Sequence, residues 1–241
     1  MTAIHTERAF EDEICNNLAA TGWLQDPTDA ARYDREHALF PDDLTAWIRV
    51  SQPRAWDAIT KANGSNAAKI VMERLRKTLD TQGTLHVLRH GFEMLGLRQP
   101  VAVAQFKPAL AMNDDLQATY AANRLRVVRQ VRYSLANDNS IDLVLFLNGL
   151  PVATVELKTD YTQAIDDAVY QYKKDRAPRV PGTNAPEPLL GFPGGALVHF
   201  AVSNSEVRMT TRLAGMETLF LPFNLGNNGG AGNPPNPDGY L

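Results

Sequence analysis

Apolar residues recur with a helical period in the first third of the chain and alternate with polar residues in its middle. Periods of about 3.6 and 2 place side chains on one face of a helix or of a strand. The pattern predicts helices over residues 3–20, 43–50, 54–61, 66–79 and 161–177. It predicts strands over 84–89, 101–105, 124–133, 196–203 and 206–211, and a hairpin over 139–160. The expected fold class is therefore α/β.

The hairpin carries the clearest chemical signal. Its two apolar runs flank Asn148-Gly149, which is typical of a tight turn. Asp142, Glu156 and Lys158 lie inside those runs. Burying a carboxylate among apolar strands costs several kcal/mol unless it is paired or bound to a metal ion. These three residues therefore predict a site, and a divalent cation would explain them.

The length of the turn decides whether the two carboxylates meet. Glu156 and Lys158 share a face of their strand, because side chains alternate. A connection over 148–150 or 147–151 places Asp142 directly opposite Glu156, whereas a two-residue turn pairs Asp142 with Val155. We therefore predict a three- or five-residue connection, or a compensating bulge.

An acid followed on the next strand by Glu-x-Lys resembles the PD-(D/E)xK nuclease superfamily. The surrounding segments resemble the amino-terminal part of the R subunit of type I restriction enzymes, from about Glu7 to the end. The resemblance rests on Ser-Ile-Asp-Leu-Val-Leu-Phe-Leu-Asn-Gly-Leu-Pro (140–151), Glu-Leu-Lys (156–158), Gln-Tyr-Lys-Lys-Asp-Arg (171–176), Thr-Arg-Leu-Ala-Gly (211–215) and Phe-Leu-Pro-Phe-Asn (220–224).

This resemblance implies a restriction-endonuclease-like mixed sheet flanked by helices. The endonuclease domain would span 1–223 with a helical insertion at about 43–82, and a linker over 224–241 would lead towards a helicase-type motor domain. The implied function is a Mg²⁺-dependent, sequence-non-specific DNA endonuclease in a cytoplasmic, ATP-dependent translocating complex with methylation and specificity subunits. The alternative is a non-catalytic docking module with a nuclease fold, serving the motor or the methyltransferase core.

The resemblance also implies roles for individual residues. Asp142, Glu156 and the backbone carbonyl of Leu157 would hold Mg²⁺ through the oxygen ligands that this ion prefers, and Lys158 would orient the attacking water or stabilise the phosphate. Gln171 matches the first position of a Gln-x-x-x-Tyr motif that lines related sites, although Asp175 replaces the tyrosine. An acid of the first helix, Glu7 or Glu11, would reach the metal or position its water; a solvated helix edge is the alternative.

Composition and charge limit the functions and the cellular compartment that are compatible with this chain. The 241 residues carry a formal charge of −3, whereas stand-alone DNA binders are usually basic. Either other parts of an assembly deliver the DNA, or the chain binds no nucleic acid. No membrane span, leader sequence or G-x-x-x-x-G-K-[ST] loop is evident, so ATP would be used by the full-length subunit and not bound by this stretch. The single cysteine, Cys15, fits a reducing compartment.

The remaining charged residues give weaker predictions. The strand face with Arg124 and Arg126 is expected to face solvent or contact phosphate. The cations at the end of the 161–177 helix are explained by the helix dipole, with DNA backbone contact as the alternative: Lys173, Lys174 and Arg176. His86 and His90 lie in a strand-like pattern with no third ligand nearby, so a metal pair is not expected. His199 is expected in the core.

Overall fold

The computed structural model describes residues 7–110, 112–160 and 164–223. The predicted linker over 224–241 and the predicted helical residues 3–6 and 161–163 lie outside the described residues. The helices are α1 Glu7–Ala20, α2 Asp29–Arg32, α3 Pro41–Ser51, α4 Pro53–Asn63, α5 Ala67–Gln82, α6 Thr84–His90, α7 Asp114–Ala121 and α8 Ile165–Asp175, with a 3₁₀ turn at Gly64–Asn66. The strands are β1 Leu125–Arg132, β2 Ser140–Leu147, β3 Leu150–Leu157, β4 Val198–Val202, β5 Val207–Thr210 and β6 Leu221–Pro222.

The strands form one mixed sheet in the order β1-β2-β3-β4-β5-β6. Neighbouring strands are antiparallel except β3 and β4, which run parallel. A parallel neighbour requires a crossover, and α8 lies in that connection and packs on both strands. This mixed α/β architecture confirms the predicted fold class and is compatible with a restriction-endonuclease-like fold.

The helices α3 to α6 enclose a hydrophobic core of their own at the turn end of the β2–β3 hairpin. Their apolar stripes bury Leu44, Trp47, Val71 and Leu75 together with Leu150 of β3. The helices predicted over 43–50, 54–61 and 66–79 are confirmed, each extending a few residues further. Because this core covers the hairpin turn, the opposite end of the two strands is left for polar side chains. In the described ranges no helix is both long and apolar enough to cross a membrane.

The strand predicted over 84–89 is wrong, because these residues form α6. Thr84, Val87 and Leu88 are buried and lie three and four positions apart, which is the spacing of one helical face. His86 and His90 are therefore one turn apart on a helix, with ring centroids 4.6 Å from each other. The described residues contain no group of three or more His, Cys, Asp or Glu side chains placed to hold a metal ion.

The strand predicted over 101–105 is also wrong. Only Val101 forms a bridge, with Phe92. The backbone of Ala102 is bonded by the side chain of Gln52, whose Oε1 accepts from the amide at 2.9 Å and whose Nε2 donates to the carbonyl at 2.8 Å. Asn123 bonds the backbone of Gln105 in the same manner. Side-chain amides thus replace the neighbouring strand that an extended apolar segment usually needs.

The β2–β3 hairpin contains the predicted bulge and not the predicted longer turn. Asn148 and Gly149 form a two-residue connection at φ +49° and +85°, so the three- or five-residue connection is wrong. The register shifts beside Phe146, which leaves Val152 as the extra residue of β3. Beyond the shift Leu143 pairs with Val155, and the next step of that register places Asp142 opposite Glu156. The compensating bulge is therefore confirmed.

Gly149→Ala is expected to lower the free energy of unfolding by about 1–3 kcal/mol. An added Cβ would lie 2.4 Å from the carbonyl oxygen of Phe40, at a backbone conformation that favours glycine. Gly182→Ala is the matched control, because its φ is +87° and nothing lies within 4 Å of its Cβ position. Urea denaturation measures both variants. Equal losses would show that the close approach to Phe40 contributes nothing.

Candidate active site

Two carboxylates, Asp142 and Glu156, meet where β2 and β3 lie side by side, and Lys158 follows directly after β3. Asp142 Oδ2 accepts a hydrogen bond from the backbone amide of Leu157 at 2.8 Å, which fixes this carboxylate against β3. Glu156 is fully buried because β3 is an interior strand with neighbours on both sides. Lys158 follows on the same face and is 8% exposed. The alternation along β3 thus brings Glu156 next to Asp142 and puts Lys158 on the same face as Glu156.

Arg176, the first residue after α8, holds Glu156. Its Nε donates to Glu156 Oε1 at 2.6 Å, and its Nη2 donates to the carbonyl oxygen of Ser140 at 2.7 Å. The other carboxylate oxygen, Glu156 Oε2, is buried and has no hydrogen-bond partner in the described part of the chain. A buried carboxylate oxygen without a donor is costly. It is therefore a position that a cation would stabilise.

Burial and, to a smaller extent, the neighbouring charge of Asp142 raise the pKa of Glu156 to about 8, against the opposing effect of Arg176. The protonated form of Glu156 is favoured because this carboxylate is buried and lies next to a second one. A cation between them would favour the charged form instead.

Without a divalent cation, the free energy of unfolding is expected to fall as pH rises from about 4.5 to about 8. In this window the unfolded chain releases the Glu156 proton while the folded chain retains it, so deprotonation favours unfolding. Chemical denaturation at several pH values in the presence of a chelator measures this slope, with Glu156→Gln as control. A variant slope equal to that of the wild type would contradict the assignment to Glu156.

Glu7 lies against Lys158. Lys158 Nζ donates to Glu7 Oε1 at 2.8 Å, so the start of α1 fixes the position of the ammonium group. Glu7 itself is half-exposed. The structure thus places this acid in the site as a partner of the lysine.

Glu11 lies one turn later on α1 and is buried, so the solvated helix edge is wrong for this residue. Its Oε2 accepts from Gln130 Nε2 at 3.0 Å, and its Oε1 is paired with Arg129. The same Gln130 nitrogen lies 3.3 Å from Asp142 Oδ1. Glu11 therefore reaches Asp142 through Gln130, a residue for which no functional role is predicted from the sequence.

Gln171 is half-buried on α8 and has no hydrogen-bond partner among the described residues. The next residue, Tyr172, is the one that faces the sheet. Its hydroxyl lies 2.8 Å from Thr154 Oγ1, which in turn lies 2.7 Å from His199 Nδ1. His199 is buried as predicted, and burial lowers its pKa to about 4, so it is neutral. These polar groups form the buried layer beneath Glu156.

The strand face predicted to be solvated or to contact phosphate comprises Arg124, Arg126 and Arg132. Arg132 is exposed, as the solvated alternative expects, whereas Arg124 and Arg126 form internal ion pairs. Arg126 is buried and donates to Asp43 at 2.6 Å and to Asp29 at 2.7 Å. Arg124 donates to Asp43 at 2.8 Å. The prediction is therefore wrong for the buried Arg126, whereas Arg124 is partly exposed while its Nε is held by Asp43.

Asp142 opens into a cleft of about 900 Å³. The cleft is lined by polar and charged groups of α1 and β1 and by the loop between α1 and α2: Glu7, Arg8, Glu11, Asn16, Gln25, Asp26, Arg129 and Gln130. Its acids outnumber its arginines. A cation has access to Asp142 through this cleft, whereas DNA is not attracted by its charge.

The carboxylates fit a magnesium ion. Mg²⁺ is commonly held by one or two carboxylates and keeps several of its waters. Asp142 and the partnerless Glu156 Oε2 supply such a pair. Because the described residues provide no third acid placed to ligate an ion, water and backbone oxygens would have to complete the shell. The carbonyl of Leu157 is the predicted backbone ligand.

Two comparisons with known proteins bear on this site. A search of curated proteins found no match. The family model described as type I restriction enzyme R protein N terminus matches residues 6–218, which include every residue of the site. Members of this family take part in restriction systems together with other restriction–modification subunits. The chain therefore belongs to the family of type I restriction enzyme R protein N termini.

Proposed function

We propose that this chain is the Mg²⁺-dependent, sequence-non-specific DNA endonuclease domain of a type I restriction R subunit. Family membership supports a nuclease role in a restriction system. The observation that carries the catalytic part is the buried Glu156 Oε2, which has no donor among the described residues, in a carboxylate that lies next to Asp142. A site of purely structural carboxylates would be expected to satisfy this oxygen.

Hydrolysis of a phosphodiester needs an activated water, correct placement of it and relief of the charge that develops on the phosphate. Bound Mg²⁺ would supply Lewis acidity and lower the pKa of a water molecule. Asp142 and Glu156 would hold the ion, with the Leu157 carbonyl as a further oxygen. Lys158 would orient the water or stabilise the phosphate, and Glu7 fixes the lysine for that task.

The substrate reaches this site through other parts of the assembly. The chain has a net charge of −3 and an acidic cleft, so it offers DNA little non-specific attraction. The methylation and specificity subunits and the helicase-type motor of the same subunit would bind and move the DNA, with ATP consumed by the motor. Cleavage is therefore to be measured with the assembled cytoplasmic complex.

Lys158→Ala tests the proposal by separating chemistry from metal binding. Nicking of DNA by the assembled complex is expected to fall by about 10²- to 10³-fold, because a group that stabilises developing charge is lost. Mn²⁺ binding, followed by calorimetry, should remain, since Lys158 is not a ligand. Asp142→Ala should lose both properties.

Lys174→Ala is the matched control for charge. This lysine is exposed on α8, next to the ring of Tyr170, and does not contact the site. Its removal should leave the nicking rate unchanged. Wild-type cleavage by the Lys158→Ala complex would contradict the proposed function.

A further inference from the structure

The carboxylates of the site offer four oxygens, of which three already accept hydrogen bonds from the protein. Asp142 Oδ1 is 3.3 Å from Gln130 Nε2, and Asp142 Oδ2 is 2.8 Å from the amide nitrogen of Leu157. Glu156 Oε1 is 2.6 Å from Arg176 Nε. The fourth, Glu156 Oε2, is buried with no hydrogen-bond partner in the described ranges. Among these oxygens, Glu156 Oε1 is the one held by a buried, charged donor, and Glu156 Oε2 is the one left for a cation.

A second ion that shared Glu156 as a ligand would need Glu156 Oε1. In two-metal sites the ions lie about 3.5–4 Å apart, which requires a ligand close to both, commonly a shared carboxylate. Arg176 occupies that second position on Glu156. Its guanidinium is permanently charged, planar and buried, and it is also held by the Ser140 carbonyl and lies 5.9 Å from the ring centroid of Tyr133. A metal ion could bind Glu156 Oε1 only by displacing the buried guanidinium of Arg176 from these three contacts.

The two acids of α1 near the site are also engaged in ion pairs. Glu7 is engaged by Lys158, and Glu11 by Arg129 and Gln130. No group of three or more potential ligand side chains is assembled within residues 7–110, 112–160 and 164–223. Binding of a second cation by Glu7 or Glu11 would therefore break an existing ion pair of that carboxylate.

We propose that the site binds a single divalent cation and that the guanidinium of Arg176 takes the place of a second one. This inference rests on the proposed nuclease function and specifies its metal stoichiometry. Arg176 is a positioning residue: it directs Glu156 Oε2 towards the ion and keeps Glu156 Oε1 unavailable. The positive charge that two-metal sites obtain from a second ion is here built into the chain.

The test counts Mn²⁺ bound to the full-length chain, using the electron paramagnetic resonance signal of the free ion. The wild type is expected to bind a single ion that Glu156→Gln fails to bind. Arg176→Lys should keep this stoichiometry, because an ammonium group can still occupy Glu156 Oε1. Arg176→Met, which has no charge, should admit a second Mn²⁺ because that oxygen becomes free. Circular dichroism with Mn²⁺ present checks that each variant is folded.

Two results would overturn the single-ion assignment: two ions at this site in the wild type, or an Arg176→Met protein with the stoichiometry and affinity of the wild type. The first of these does not require the Arg176→Met variant to fold. A different result would instead contradict the proposed function, namely Glu156→Gln binding as much Mn²⁺ as the wild type. The experiment therefore distinguishes rejection of the single-ion assignment from rejection of the proposed metal-dependent function.

Discussion

Glu156→Gln is expected to lower DNA cleavage by the assembled complex by about 10³-fold or more, which corresponds to a loss of about 4 kcal/mol of transition-state stabilisation. The amide has the shape of the carboxylate and still accepts from Arg176 through its oxygen. It has no negative charge to offer a cation. The variant therefore removes metal binding without removing the side chain that fills the interior of the sheet.

The same substitution is expected to leave the metal-free chain as stable at neutral pH as the wild type, or more stable. Burial and Asp142 raise the pKa of Glu156, so the ionised carboxylate is an unfavourable group in the absence of a cation. Loss of activity with unchanged or increased stability is typical of residues that serve function at the expense of the fold. Thermal denaturation with and without Mg²⁺ measures this, and only the wild type should gain stability from the ion.

Glu187→Gln is the matched control for this experiment. Glu187 is another buried glutamate, outside the metal site, and its Oε1 accepts from the hydroxyl of Ser134 at 2.6 Å. An amide can replace that acceptor, so cleavage should persist. If the complex with Glu156→Gln cleaved DNA at the wild-type rate, Glu156 could not be a ligand of the catalytic ion.

The central part of this site could be predicted from local sequence alone. Side chains alternate along β3, so Glu156 and Lys158 had to share a face, and burial made an unsupported carboxylate improbable. The sequence predicts Asp142 opposite Glu156 only if the hairpin has a three- or five-residue connection or a compensating bulge. The Asn148-Gly149 turn alone separates the acids, and the bulge that brings them together depends on packing against the helical core.

Arg176 could not be found from local pattern. A cation at the end of a helix is sufficiently explained by the helix dipole, and nothing near Arg176 in the sequence indicates a partner 20 residues earlier on another element. The same limit applies to Gln130, which connects Glu11 with Asp142. The residues that orient the ligands are brought to the site by tertiary structure, whereas the ligands themselves are marked by their place in a strand.

The errors in secondary structure have a related origin. The apolar pattern of the short α6 segment is compatible with both the helical and the strand period. Its packing against α5 favours the helix. The segment at 101–105 has the composition of a strand, but the side chains of Gln52 and Asn123 bond its backbone. Partners distant in sequence override a local preference in both cases.

Asp43→Ala is expected to lower the free energy of unfolding by about 3–5 kcal/mol, because it breaks a buried ion-pair network by removing one partner. Asp43 is fully buried at the start of α3 and accepts from Arg126 at 2.6 and 3.0 Å and from Arg124 at 2.8 Å. Arg126 also binds Asp29 and lies 4.5 Å from the ring centroid of Phe40. Without Asp43, a buried guanidinium would keep only part of its compensating charge.

The neighbouring residue provides the control. Asp42 lies in the same first turn of α3, so both acids interact with the same helix dipole, but Asp42 is exposed and its partner is the surface residue Arg32. Asp42→Ala should therefore cost less than about 1 kcal/mol. Urea denaturation of the two variants compares a buried and an exposed carboxylate at adjacent positions. Similar losses would mean that the helix dipole, and not the ion pairs joining α2 and α3 to β1, accounts for the stabilising effect of Asp43.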